Sequence, residues 1–406
     1  MNALKQLDRH LLIESIGLGI AQIMLWGGSY FLLAILAKPI MAELKWSNEF
    51  VYGALSFSIL ISGLVSPKIG HLINTKSRNY VVLLSGLLMG IGLICLGLST
   101  NKGLFIFGWI LIGFAMGAGL YDPLFASLGR KYGKKATNSI VQITLVSGFT
   151  TTTIWPILSY LLNTFGWRST CFIYAISLIV LIFPIHYFSI FKFQPKQTNF
   201  IEKELTSIKE VQPKTAFKKD KIFYLLLFNF SIGSVLMTGI YLHLIDILLS
   251  HKITMIQAIS IGAMLGPAQV GIRILDIVLP KKTPDKTAII SGITILIGLI
   301  LLLISAKVAF LGVVFFGLGN GMRSILRGTL PLWIYGQESY AEIIGKLARL
   351  PLLAQALTPF LSGLIINYFE VDSLLNILCI LAFINVIPMI ILYKLCANKH
   401  EKQAEI

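Results

Sequence analysis

Charge is scarce in this chain, and acid above all: 18 Asp and Glu stand against 34 Lys and Arg in 406 residues, and charged residues total 13%. Soluble domains carry roughly a quarter, so most of the chain has too little charge to face water. No Gly-x-x-x-x-Gly-Lys-Ser/Thr loop occurs, and the longest polar stretch, 192–221, is too short for a nucleotide domain. ATP-driven work is thereby excluded. The four cysteines (Cys95, Cys171, Cys379, Cys396) lie within or at the end of apolar runs without paired spacing. They read as small core hydrophobes, and no His or Cys cluster has metal-ligand spacing, so neither metal nor cofactor is expected. The polar lead "MNALKQLDRH" is followed by no small-residue cleavage site, and the first apolar run is expected to stay as a helix.

What is abundant is apolar: 56% of residues, with a mean hydropathy of +0.81. Runs of membrane-crossing length fall at 11–37, 50–73, 80–98, 104–128, 138–163 and 169–191, then at 222–249, 257–279, 287–305, 307–326, 341–366 and 373–396. The fold class is therefore an all-α membrane protein of 12 transmembrane helices, spans 1 to 12, in a lipid bilayer. Its expected parts are a six-helix bundle over 1–191, a linker over 192–221 and a second six-helix bundle with a short tail over 222–406. The net charge of +16 does not indicate nucleic acid, because the bases sit in short loops. With both termini cytoplasmic, the outer loops hold only Lys38, Lys45, Lys102, Arg168, Lys252 and Lys307. All other bases except Arg273 and Arg323 fall on the inner side, the bias that sets orientation.

The two halves echo each other. "SGLLMGIGLICL" (85–96) and "SGITILIGLILL" (291–302) agree at seven of twelve positions, "GFAMG" (113–117) lies over "GLGNG" (317–321), and "WPILSYL" (155–161) over "TPFLSGL" (358–364). The offsets of 206, 204 and 203 keep their order. A parallel duplication follows, with a binding site expected between the halves near mid-membrane.

These features resemble the major facilitator superfamily over essentially the whole chain. "WGGSYFLLAILAKPIMAELKWS" (26–47), "SGLVSPKIGHLIN" (62–74) and "FGWRSTCFIYA" (165–175) are similar to strings of bacterial relatives of monocarboxylate and oxalate–formate carriers. "GPAQVGIRILD" (266–276) and "RGTLPL" (327–332) resemble a bacterial branch of carriers. The resemblance implies two six-helix bundles rocking about a central site, a small-molecule substrate, a bacterial inner membrane and a monomer. The superfamily's signature loop, Gly-x-x-x-Asp-Arg-x-Gly-Arg, here reads "GHLINTKSR" (70–78). Gly70 and Arg78 fit, whereas Asn74 replaces the acid and Thr75 the first Arg, so the usual charge relay is incomplete. An Arg that the family's proton-linked exporters carry in span 4 is also missing, and Asp122 is the charge there instead.

Charges within spans are costly unless paired or hydrated, and each is a functional candidate. Asp122 has two compatible readings. In one it meets Arg323, Arg327 or Arg349 as a cytoplasmic gate whose protonation couples opening to protons. In the other, "YDP" restarts a helix, with Asp capping and Pro at the first helical position. Arg273 either pairs locally with Asp276, three residues on, or offers its fork of donors to a carboxylate in the central cavity. Asp246 and His243 in span 7 make an outer gate or proton-accepting pair, or are simply solvent-exposed. Glu14 reads as interfacial and His186 as a core or interface histidine.

Uncharged polar groups cluster in the spans. Gln22, Trp26 and Ser29 share a face of span 1, with Tyr30 beside them, and Gln142, "TTTT" (150–153), Asn229, Tyr241, Gln269 and Gln355 follow. Such groups face a bundle interior, and Gln22, Trp26, Tyr30, Gln142, Gln269 and Gln355 with Arg273 are candidate substrate contacts. The Thr run also has a local alternative, bonding its own backbone. The glycine rows of spans 3 and 4 read as packing surfaces. Taken together, these residues lead to the expectation of a secondary, proton-coupled carrier of a small organic anion. A carrier or exporter of a larger metabolite, such as a siderophore or drug, is the alternative. A non-transporting receptor or an intramembrane enzyme is a remote one, since His243 and Asp246 are the only candidate catalytic pair.

Overall fold

A computed structural model describes residues 2–76, 80–132, 136–189, 220–278, 283–335 and 340–404. Arg78, Lys134, Lys135 and the linker from 192 to 219 lie outside the described residues, as do the side chains of Asn74 and Asp276, so neither the signature loop nor an Arg273–Asp276 pair enters below. All regular structure among the described residues is helical. In chain order the helices are α1 (Asn2–Gly27), α2 (Leu33–Leu44), α3 (Asn48–Lys76), α4 (Tyr80–Leu98), α5 (Lys102–Gly119), α6 (Tyr121–Tyr132) and α7 (Ala136–Ser147), then α8 (Thr150–Tyr187), α9 (Lys221–Ser250), α10 (Met255–Ala263), α11 (Leu265–Val278), α12 (Pro284–Ile304), α13 (Ala309–Tyr335) and α14 (Tyr340–Ala404).

Side-chain caps start several of them. Asn101 Oδ1 accepts from the Leu104 amide at 2.9 Å, Asp220 Oδ1 from the Phe223 amide at 2.8 Å, and Thr254 forms a capping box with Gln257. Nine helical stretches among the described residues are long and apolar enough to cross a membrane. Two of these, Ser139–Tyr187 and Lys346–Cys396, hold 49 and 51 residues, about two crossings each. Each contains one non-helical residue of positive φ, Gly166 at 77° and Glu370 at 70°, dividing the expected spans 5 from 6 and 11 from 12. Large apolar side chains such as Ile176 (59%), Ile380 (59%) and Phe383 (61%) remain exposed, as a lipid-facing surface requires.

Span 1 was expected as one helix but is broken: α1 ends at Gly27 and α2 begins at Leu33. The Phe31 amide reaches back five residues to the Trp26 carbonyl at 3.2 Å, a π-type bond, and Tyr174 Oη fills the space against Gly27 and donates to the Met24 carbonyl at 2.9 Å. Spans 4, 5 and 8 break as well, between α5 and α6, α7 and α8, and α10 and α11. In two of these breaks the cause is legible. Pro123 and Pro267 have no amide hydrogen and leave the carbonyls of Gly119 and Ala263 without helical partners. Gln22 Nε2 donates to the first at 2.7 Å and Thr152 Oγ1 to the second at 2.6 Å. A buried carbonyl is thus satisfied from another span in both cases.

The internal repeat reappears as packing. A Cβ on Gly92 would stand 2.8 Å from the Gly108 carbonyl oxygen, and one on Gly298 would stand 2.8 Å from that of Gly312. Likewise Gly113 and Gly117 approach the carbonyls of Ser58 and Ser62, while Gly317 and Gly321 approach those of Leu265 and Gln269. The glycine rows are close-packing surfaces, repeated in each half.

The halves meet toward one end. Ser56 Oγ accepts from the Phe360 amide at 2.9 Å, and Gly363 packs on the backbone of Asn48 and Glu49. Contacts between α8 and the α10–α11 region continue to mid-depth, where Gly148 lies against Gly266 and Val270. At the opposite end Asp122, Arg327 and Arg349 are exposed. Beyond the Arg273–Thr144 bond, no hydrogen bond or ion pair among the described residues joins the halves there.

Candidate functional site

At the closed end a polar lock spans the halves. Lys38 Nζ lies 2.8 Å from Asp246 Oδ1, Tyr52 Oη donates to Asp246 Oδ2 at 3.5 Å, and His243 Nδ1 is 3.6 Å from the same oxygen. His243 Nε2 bonds Ser362 Oγ at 2.8 Å, and its ring sits 4.5 Å from that of Tyr52. Lys38 and Tyr52 come from the first half, His243, Asp246 and Ser362 from the second. The reading of His243 and Asp246 as solvent-exposed is corrected here: they are 0% and 8% exposed, because Lys38 and Tyr52 cover them. The same end carries a tie within the first half. Glu43 accepts from Trp167 Nε1 at 2.6 Å and Arg168 Nε at 2.8 Å, and Arg168 also donates to the Gly97 carbonyl at 2.7 Å. Hydrogen bonding by Arg168, then by Trp167, holds the Glu43 carboxyl below the usual carboxylate range.

At mid-depth the span 1 break brings aromatic rings together. Trp26 lies 4.8 Å from Tyr30, 5.3 Å from Tyr121 and 6.3 Å from Phe31, centroid to centroid. Tyr121 stacks on Phe125 at 5.2 Å and shares a 2.6 Å hydrogen bond with Ser147. Phe31 reaches the second half, 5.1 Å from Tyr241. There a chain of hydrogen bonds begins: Tyr241 Oη accepts from Gln269 Nε2 and Asn320 Nδ2, both at 2.8 Å, and Asn320 Oδ1 accepts from Arg323 Nε at 3.0 Å. Arg323 also points Nη2 at Met237 Sδ, 3.2 Å away. Arg273 donates across the halves to the Thr144 carbonyl and, within its own half, to Ser324 Oγ, each at 3.0 Å.

Among the described residues both span arginines therefore have neutral partners only. Among the described residues no carboxylate lies within ion-pair distance of Arg273, Arg323, Arg327 or Arg349. The Asp122–Arg323 contact is not formed in this arrangement. Asp122 lies in the first turn of α6, where Tyr121 opens the helix and Pro123 follows.

The remaining candidates separate. Gln22 is fully buried and committed to Gly119, so it braces the span 4 break. Gln142 Oε1, Trp26 Nε1 and Arg273 Nε are buried atoms without hydrogen-bond partners among the described residues. Gln355 is buried. In the Thr run, Thr150 bonds the Ser147 carbonyl across the α7–α8 break, whereas Thr152 crosses to span 8. Asn229 donates to Asn385 at 3.0 Å inside the second half. His186 is a core histidine bonded to the Val82 carbonyl at 2.9 Å. Glu14 is 8% exposed, packed within the protein. Sequence reasoning missed Lys38, Tyr52, Tyr121, Asn320 and Ser324. A lone lysine before Pro39 in the apolar stretch "LAILAKPIMAEL" was the available signal for Lys38; the others carry none that sets them apart from ordinary span residues.

Residues 18–346 match the family model described as Major Facilitator Superfamily. Monocarboxylate transporter 14 of Mus musculus is 29% identical over 148 residues, 36% of this chain and 28% of that protein. The Homo sapiens protein of the same name is 28% identical over 151 residues, 36% of this chain and 29% of its own. These matches span under a third of the relatives' length. Among solved structures, the nucleoside transporter NupG superposes with a TM-score of 0.72 at 13% identity, covering 95% of this chain and 99% of that one. A bacterial homolog of the human lysosomal transporter Spinster, inward-facing and occupied, gives 0.67 at 14% identity over 96% and 97%. A POT family transporter in complex with 5-aminolevulinic acid gives 0.68 at 13% identity over 94% of each chain.

Proposed function

The chain belongs to the Major Facilitator Superfamily, and from that premise we propose that it is a secondary carrier of a small organic anion, a carboxylate-type metabolite, working by alternating access with proton coupling. The observation that carries the reading is the pair Arg273 and Arg323, held in apolar spans with only neutral partners among the described residues. An unneutralised guanidinium at membrane depth costs several kcal/mol, roughly, and a carboxylate binding between the halves offsets that cost while using the fork of donors. The local likeness to monocarboxylate transporter 14 points the same way.

On this reading residues 1–191 and 222–406 rock as two bundles about the site, joined by the 192–221 linker, in the inner membrane of a bacterium, with both termini cytoplasmic and one chain sufficient. The closed end is then periplasmic, and Lys38, Tyr52, His243, Asp246 and Ser362 form the outer gate. Asp122, Arg323, Arg327 and Arg349 come together at the inner end when the outer one opens, and Asp122 and the His243–Asp246 pair are the proton acceptors. A larger, exported cargo such as a siderophore or drug is the second reading. It is favoured by the apolar area of Trp26, Tyr30, Phe31 and Tyr121, more than a three-carbon acid covers.

The test is uptake into proteoliposomes of mono-, di- and tricarboxylates, with and without an inward proton gradient. One acid class should accumulate and be stimulated by the gradient, and Arg273→Gln should lower its uptake by about tenfold or more. No uptake by folded protein would transfer the case to the larger cargo. Uptake indifferent to the gradient would leave Asp122 as an acid in the first turn of α6 and nothing more.

A further inference from the structure

Three hydrogen-bond donors around the mid-depth ring cluster have no acceptor among the described residues. Trp26 Nε1 and Arg273 Nε are buried and unpartnered. Tyr241 is the third, for a reason that starts at Arg323. Arg323 Nε holds Asn320 Oδ1, which fixes the amide so that its Nδ2 faces Tyr241. With Gln269 Nε2 on the same phenol oxygen, Tyr241 accepts twice, and its own O–H hydrogen is left to give. Tyr241 lies 5.1 Å from Phe31 of the ring cluster, Arg273 bonds the Thr144 carbonyl one turn before Ser147, whose hydroxyl pairs with Tyr121, and Tyr121 packs on Trp26. Donors without acceptors thus surround an aromatic wall of Trp26, Tyr30, Phe31 and Tyr121.

Aliphatic acids would use the donors and leave the wall idle. A planar ring bearing a carboxylate uses both, since ring faces stack on or meet edges of other rings and the acid supplies the missing acceptors. We propose that this site selects a planar, aromatic or heteroaromatic carboxylate, its ring against Trp26 and Tyr121 and its carboxylate on Arg273 and Tyr241. The proposal rests on the anion-carrier reading and narrows its substrate class. Trp26 is the residue that sets the preference, and Arg273 serves any acid.

The experiment compares benzoate with cyclohexanecarboxylate, acids of nearly equal size and equal charge that differ in planarity and π character, alongside neutral benzamide. Binding to the full chain in detergent is read as the concentration giving half-maximal thermal stabilisation. Benzoate should bind about two- to tenfold more tightly than cyclohexanecarboxylate, the range of one ring–ring contact. Trp26→Leu should bring that ratio to about one, Trp26→Phe should restore part of it, and Arg273→Gln should weaken both acids. Equal binding of the two acids in the unaltered chain would overturn the ring preference and leave the anion carrier standing. Benzamide binding as well as benzoate, unaffected by Arg273→Gln, would overturn the anion reading itself. Binding of none of the three probes by folded protein would overturn the proposal too.

Discussion

Gln22 shows how a residue singled out for one role holds another. A glutamine in an apolar span signals an interior position, and Gln22 is indeed fully buried, but its amide serves the carbonyl that Pro123 leaves without a partner. Gln22→Leu should destabilise the protein by about 1–3 kcal/mol, because a buried acceptor loses its donor. An unchanged melting temperature in detergent would sink this account. Glu43 supports a second expectation at this scale. Its carboxyl is held below the usual range by Arg168, so its contribution is present above the unfolded value and lost as pH falls through the folded one. Glu43→Gln should therefore lower the melting temperature at about pH 7, by a margin that shrinks as pH falls and Glu43 takes up its proton. A penalty that persists in acid would mean packing, rather than charge, ties Glu43 to Arg168.

Helices in this chain are specified by apolar length and small-residue rows, and their breaks by proline and glycine. Spans were legible as runs, but the breaks in spans 1, 4, 5 and 8 were read only at "YDP", since a break needs a tertiary donor or filler to persist. Tyr174 at Gly27 and Thr152 at Ala263 supply two of these from other spans. The glycine crossings give a direct test. At Gly92 an added Cβ would meet the Gly108 carbonyl at 2.8 Å and Ile112 Cγ1 at 2.7 Å, whereas at Gly63 it would meet nothing within 4 Å. Gly92→Ala should cost about 1–3 kcal/mol, and Gly63→Ala should be neutral or slightly stabilising, by up to ~1 kcal/mol. Equal effects in chemical-melt or thermal assays would refute the close-packing role.

Most of the polar contacts between the halves among the described residues gather toward one end, and a carrier must exchange which end they hold. Ser56 and Phe360, on opposite halves, stand close enough for their hydrogen bond of 2.9 Å. The double variant Ser56→Cys with Phe360→Cys should cross-link under oxidation, since the 2.9 Å bond from the Phe360 amide to Ser56 Oγ already holds the two residues side by side. Uptake should fall to background and return on reduction. Transport that continues in the cross-linked form would show that this end does not open during the cycle. The Asp122–Arg323 contact belongs to the same scale, because it requires the other end to close.

Composition and the spacing of apolar runs were enough to establish an all-helical membrane chain, an internal repeat and the arginines stranded in its spans. Each of those follows from local facts: too little charge for water, runs long enough for lipid, and cations with nowhere cheap to go. Only the tertiary structure decided which groups meet. Lys38 looks like one more loop lysine until Asp246, 208 positions later, is found 2.8 Å away. Tyr241 looks like any span tyrosine until Asn320, turned by Arg323, fills its lone pair and frees its hydrogen. Contacts between halves depend on how two bundles lean on each other, and no periodicity along one chain encodes that lean.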